Sequence, residues 1–178
     1  MKMQKCGLVA ILAIAAFVWL LPLGAAQAGS ASTSLNVSAA VNANCTIATN
    51  NLTFGSYDVL SGSVTTETGG AVKITCTRGS VTLIGLDAGL YTANAVGTTR
   101  AMLRSGGSAS TASDILSYEI YKDSGRTTVW GDTGTNRLDS GTAPSKAERS
   151  FTVYGKISAG QDVQTGSYAD TVNARVDF

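Results

Sequence analysis

From residue 34 onward, apolar and polar residues alternate in short runs, a period of two that predicts extended strands. Residues 34–42 set the pattern: Leu35, Val37, Ala39 and Val41 alternate with Ser34, Asn36, Ser38, Ala40 and Asn42. Asn51-Leu52-Thr53-Phe54 reads as a second short run, closed by Gly55-Ser56. In residues 71–76, Val72, Ile74 and Cys76 face one way while Lys73 and Thr75 face the other. The turn Thr77-Arg78-Gly79-Ser80 then leads into a mostly apolar strand over 81–86. Further strands are predicted over 100–104 and over 115–121, where Leu116, Tyr118 and Ile120 share a face. Asp123-Ser124-Gly125-Arg126 reads as a hairpin turn into residues 127–130, and 131–146 as the longest polar loop. Residues 150–157 put Phe151, Val153, Gly155 and Ile157 on one face.

The last eleven residues alternate too. Tyr168, Val172, Ala174, Val176 and Phe178 fall on one face, with Asp170 the exception, and Asn173, Arg175 and Asp177 line the other. Chain ends usually fray; an aromatic at position 178, in strand register, predicts an end that is held. About eight strands with Ser, Gly and Thr turns predict an all-β protein, a two-layer immunoglobulin-like β-sandwich. Both outermost runs, at 34–42 and 168–178, are apolar strands that require a partner edge.

Composition adds a compartment. Lys2 and Lys5 precede an unbroken apolar run over residues 8–21, Pro22 ends it, and Ala26-Gln27-Ala28 supplies a small-residue cleavage site. This predicts an export signal over residues 1–28. The run is shorter than the ~20 residues of a membrane span, so no span is expected after cleavage. The formal charge of +1 falls to −1 without Lys2 and Lys5, and histidine is absent. No basic cluster remains, so nucleic acid is not an expected partner. Cys6 lies in the leader, leaving Cys45 and Cys76, which in an exported chain read as a disulfide. Two cysteines without histidine supply no zinc site, and no cofactor is expected.

Several motifs, in order, resemble the spore coat protein U domain family. They are Asn44-Cys45-Thr46-Ile47, Leu52-Thr53-Phe54-Gly55-Ser56-Tyr57 and Ile74-Thr75-Cys76-Thr77. Then follow Leu116-Ser117-Tyr118-Glu119-Ile120-Tyr121-Lys122-Asp123, Trp130-Gly131-Asp132 and Phe151-Thr152-Val153-Tyr154-Gly155-Lys156-Ile157. Gly166-Ser167-Tyr168-Ala169-Asp170-Thr171-Val172 and the ending Val176-Asp177-Phe178 complete the series. The family includes subunits of archaic, Csu-type chaperone–usher pili.

The resemblance implies an incomplete sandwich that lacks its final strand and is completed by strand addition. It implies a periplasmic pilus chaperone, an outer-membrane usher and neighbouring pilus subunits as partners. It also implies a cell-surface fibre serving adhesion and biofilm. In this reading residues 29–41 are a donor segment, with Leu35, Val37, Ala39 and Val41 as its pocket-filling side chains. Residues 42–178 are the pilin domain, with Val172, Ala174, Val176 and Phe178 bordering the acceptor groove.

A second reading is a self-sufficient secreted or coat-layer sandwich that binds carbohydrate through exposed faces of Tyr121 and Trp130. An enzyme is the remotest class. Asp114, Glu119, Asp123 and Asp132 read as turn or solvent-face carboxylates without a paired motif, so no catalytic residue is assigned. Asn36, Asn44 and Asn51 each begin an N-x-S/T triplet, a short coincidence in an Asn- and Thr-rich stretch.

Overall fold

The computed structural model describes residues 27–94 and 97–178. The predicted leader lies outside these residues except for Gln27 and Ala28. Contacts divide the chain after Ala39.

Residues 40–178 form two antiparallel sheets. The strands are β1 (Cys45–Asn50), β2 (Thr65–Cys76), β3 (Val81–Leu86), β4 (Tyr91–Thr92), β5 (Arg100–Arg104) and β6 (Ile115–Tyr121). They continue as β7 (Leu138–Thr142), β8 (Arg149–Ile157), β9 (Tyr168–Ala169) and β10 (Ala174–Asp177). The larger sheet runs β1-β2-β8-β6-β5-β4, with β9 also paired to β5; the smaller runs β10-β3-β7. This is the all-β, immunoglobulin-like sandwich that the alternation predicts.

The core follows the period of two. Val72, Ile74 and Cys76 of β2 meet Ile84 and Leu86 of β3, Leu116, Tyr118 and Ile120 of β6, and Val153 and Ile157 of β8. Every residue of β6 is buried, as befits the centre of the larger sheet. Phe54 packs edge-on to Tyr118, ring centroids 5.9 Å apart. Gly155 permits this approach: a Cβ there would lie 2.6 Å from Phe54 Cζ and 2.7 Å from Leu52 Cδ2.

Three expectations are corrected. Residues 51–54 keep their alternation, with Leu52 and Phe54 packed inward, but carry no strand. They lie against the core, with Asn51 and Thr53 exposed, instead of joining a ladder. Residues 127–130 contribute only an isolated bridge, Tyr121↔Val129, because Asp123 ties its carboxylate to the amides of Thr127 and Thr128 and holds the turn tight. The loop predicted over 131–146 contains β7, which pairs with β3.

Candidate functional site

The candidate site is an opening between two strand edges. β1 pairs only with β2, and β10 only with β3, among the described residues. The two unpaired edges belong to different sheets and lie close to one another. Cys45 and Ile47 of β1 line one side, and Val172, Ala174 and Val176 the other; all are half-buried against the core. Phe178 is exposed. Alternation thus places Val172, Ala174 and Val176 inward as expected, yet leaves them incompletely covered.

Each wall is anchored from behind. The pair Cys45↔Cys76 stands in register across β1 and β2 and is joined by a disulfide, Cα atoms 4.1 Å apart. β10 is registered on β3 through Ala174↔Leu86 and Val176↔Ile84. Just before β10, the Asp87 carboxylate accepts from Asn173 N (2.9 Å) and Asn173 Nδ2 (2.7 Å). Burial raises the Asp87 pKa, but the bonds from Asn173 and Gly89 and the charge of Arg100 outweigh it, so the carboxyl titrates below its ordinary value.

Asp170 accepts from Tyr118 Oη (2.7 Å) and from Leu90 N (2.8 Å). A Cβ at Gly89, whose φ is +78°, would collide with that carboxylate. Burial, then the bond to Asp170, pushes the Tyr118 hydroxyl well above the usual tyrosine range. Along β10, Arg137 pairs with Asp177, and Arg175 with Asp132 and Asp177.

Residues 27–44 contain no strand. Leu35 and Val37 are both 86 % exposed, and Ala39 and Val41 are exposed as well. The predicted strand over 34–42 is therefore not formed within this chain. Without a partner edge the segment has no hydrogen-bond ladder to hold it as a strand.

Residues 31–175 match the Spore Coat Protein U domain. The chain belongs to this family. It is similar to "Protein U" of Myxococcus xanthus, 35 % identical over 181 residues that span 95 % of this chain and 97 % of that protein. Among solved structures it resembles a chain of the CsuC–CsuE chaperone–tip adhesion subunit pre-assembly complex from archaic chaperone–usher Csu pili of Acinetobacter baumannii. That match has a TM-score of 0.54 and 26 % identity, and covers 78 % of this chain and 40 % of that one.

The spore coat protein U domain offers no aromatic platform at the two residues predicted for one. Trp130 is fully buried, at 0 % exposure. Its Nε1 donates to Ile84 O (3.0 Å) and its N to Ile120 O (2.9 Å), so the ring is a plug between the sheets. Tyr121 is buried in the last position of β6. Both are corrected from exposed to core.

Two of the carboxylates read as solvent-facing are also buried. Asp114 accepts from Arg104 Nε (2.6 Å) and Ser108 N (2.9 Å), and the Arg104 bond leads in holding its pKa down. Glu119 pairs with Arg100 inside the domain. This spore coat protein U domain has no group of three or more potential metal ligands among the described residues. No helix among them is long and apolar enough to cross a membrane.

Proposed function

We propose that this chain is a structural, non-catalytic subunit of a chaperone–usher pilus, polymerised by strand donation and serving adhesion and biofilm formation. One observation carries the reading: the unpaired edges of β1 and β10 flank a half-covered stretch of core. An open apolar edge left unmanaged is an aggregation hazard. A periplasmic chaperone fills it first, and the outer-membrane usher hands it to the next subunit. The incoming strand is residues 29–41 of a second copy or a related subunit. Leu35, Val37, Ala39 and Val41 then enter the groove on alternate positions, and backbone ladders hold the joint.

Each buried Leu or Val side chain stabilises the joint by ~1.5–3 kcal/mol. The relation to a chaperone–tip subunit complex and the family membership support this reading. Export through the periplasm to the surface follows from the predicted leader. The test is to delete residues 29–41, or to introduce Leu35→Glu and Val37→Glu, with the chaperone co-expressed. Subunits still bind chaperone but do not polymerise; fibres of normal yield and length would overturn the reading.

A further inference from the structure

We infer that the turn at Asp58–Leu60 of one subunit seats in a cleft beside the disulfide of the next, a second head-to-tail contact between copies of this chain. The inference rests on the strand-donation reading and adds the surfaces that meet around the donated strand.

β2 is twelve residues long, so its two ends lie about 36 Å apart. At the end marked by Cys45 and Cys76, a cleft of about 300 Å³ is lined by Ala43, Thr77, Arg78, Gly79 and Ser80 and, until the strand is donated, by Val41; once Val41 enters the neighbour's groove, Ala43 and residues 77–80 remain as its walls. At the opposite end, the chain enters β2 through a turn that presents Leu60, 92 % exposed. The turn is rigid: Asp58 Oδ1 accepts from Leu60 N (2.9 Å), and Asp58 O from Ser61 N (3.2 Å). Val59 and Val64 are exposed beside it. A large exposed side chain on a hydrogen-bonded turn, and an open cleft, are the two halves of a contact at opposite ends of one domain.

Charge agrees with shape. Exposed Arg78 and Lys146 stand at the disulfide end, where Glu148 is engaged by Lys73 at 3.6 Å. Exposed Asp58 and Asp162 stand at the far end.

Strand direction brings these ends together. β3 leaves the disulfide end, and β10 runs antiparallel to it, so β10 finishes towards the disulfide end. The smaller sheet is wholly antiparallel. A donated strand that continues this pattern runs antiparallel to β10 and leaves the acceptor at its far end. The donor's own β1 begins at Cys45, four residues after Val41, a span of at most ~14 Å. The donor's cleft therefore arrives beside the acceptor's Leu60 turn. A contact of unlike surfaces that does not close on itself propagates as a fibre.

The test is cysteine cross-linking in assembled fibres of the full chain. Leu60→Cys and Arg78→Cys together give covalent multimers that survive boiling in denaturant and vanish on reduction, while either variant alone gives none. Boiling-resistant dimers from Arg78→Cys alone would place like ends together and overturn the inference. So would double-variant fibres that do not cross-link. If the cysteine pair blocks fibre growth, charge reports the same contact. Asp58→Arg or Arg78→Asp alone lowers fibre yield several-fold and the pair restores it; no restoration overturns the inference. Failure of the unsubstituted chain to form any boiling-sensitive ladder overturns the strand-donation reading itself, and this inference with it.

Discussion

The guanidinium of Arg100 and the carboxylate of Glu119 form an ion pair in which each side chain is only 1 % exposed. Each guanidinium nitrogen and both carboxylate oxygens have a partner. Arg100 also donates to Asp87 O, Leu86 O and Trp130 O at 2.7–2.9 Å. Glu119 accepts from Thr99 N and Oγ1 and from Ile120 N. One buried cation thus ties β5 and β6 of the larger sheet to the end of β3 in the smaller. Removing one partner strands the other charge in the interior. Arg100→Leu or Glu119→Leu alone is expected to lower unfolding free energy by about 3–5 kcal/mol. The double replacement costs less than the worse single one. Equilibrium urea unfolding of the three variants, with a peptide of residues 29–41 present throughout, decides it.

The disulfide matters because β1 has a single strand partner among the described residues. Its cysteines are 31 residues apart in sequence, and closing a loop of that size stabilises by about 3–4 kcal/mol in the chain-entropy model. Replacing Cys45 and Cys76 by serine is expected to lower the unfolding midpoint. The change is also expected to speed amide exchange across residues 45–50 before it does so in β6. Equal acceleration in both strands would show that β1 is held by packing alone.

Much of the fold was legible because strands that bury one face must alternate. β2, β8 and β10 carry that pattern openly, and the inward set of each is the one expected. β7 was not legible: Leu138-Asp139-Ser140-Gly141-Thr142 has one apolar residue. It is held by polar contacts instead, such as Arg149 Nη1 donating to Ser140 O at 2.7 Å. Glu119 was misread for a related reason. Alternation sets it opposite Tyr118 on β6, a position that reads as solvent. Burial comes from Thr99 and Arg100, about twenty residues away in sequence. Trp130 follows a polar turn, and no local pattern says that a strand carbonyl from residue 84 awaits its indole. The groove was legible only in outline: apolar strands near both ends pointed to open edges, but which edges face each other is a matter of topology.

Acid is expected to loosen the β10 wall through Asp87. Its folded pKa lies below the ordinary 3.8, with burial opposed and outweighed by the Asn173 and Gly89 bonds and by Arg100. The stability it contributes is therefore whole above its unfolded pKa and is lost as pH falls through the lower folded value. Exchange of amides 174–177, corrected for intrinsic rates, should be flat between pH 7 and 5 and accelerate below about pH 4. Asp87→Asn should remove much of that acid limb and raise exchange at neutral pH. An unchanged acid limb would show that Asp87 does not control it.

The two halves of the joint should complement one another in separate chains. Leu35→Glu with Val37→Glu disables the donated strand but leaves Val172 and, on an intact β10, Ala174 and Val176 in place. Val176→Glu does the reverse, placing a charge on a half-buried position while residues 29–41 stay intact. Burying an unpaired carboxylate in an apolar groove costs several kcal/mol, enough to stop either chain from polymerising alone. Mixed in equal amounts, one supplies the strand and the other the groove, and the second junction fails at both ends. The expected product is a dimer that resists denaturant until boiled, with no trimer or longer ladder. Gel electrophoresis without heating reads the result directly. A ladder from either single species would mean that the side chains chosen do not control the joint; monomers alone in the mixture would mean that the groove is not completed by this segment.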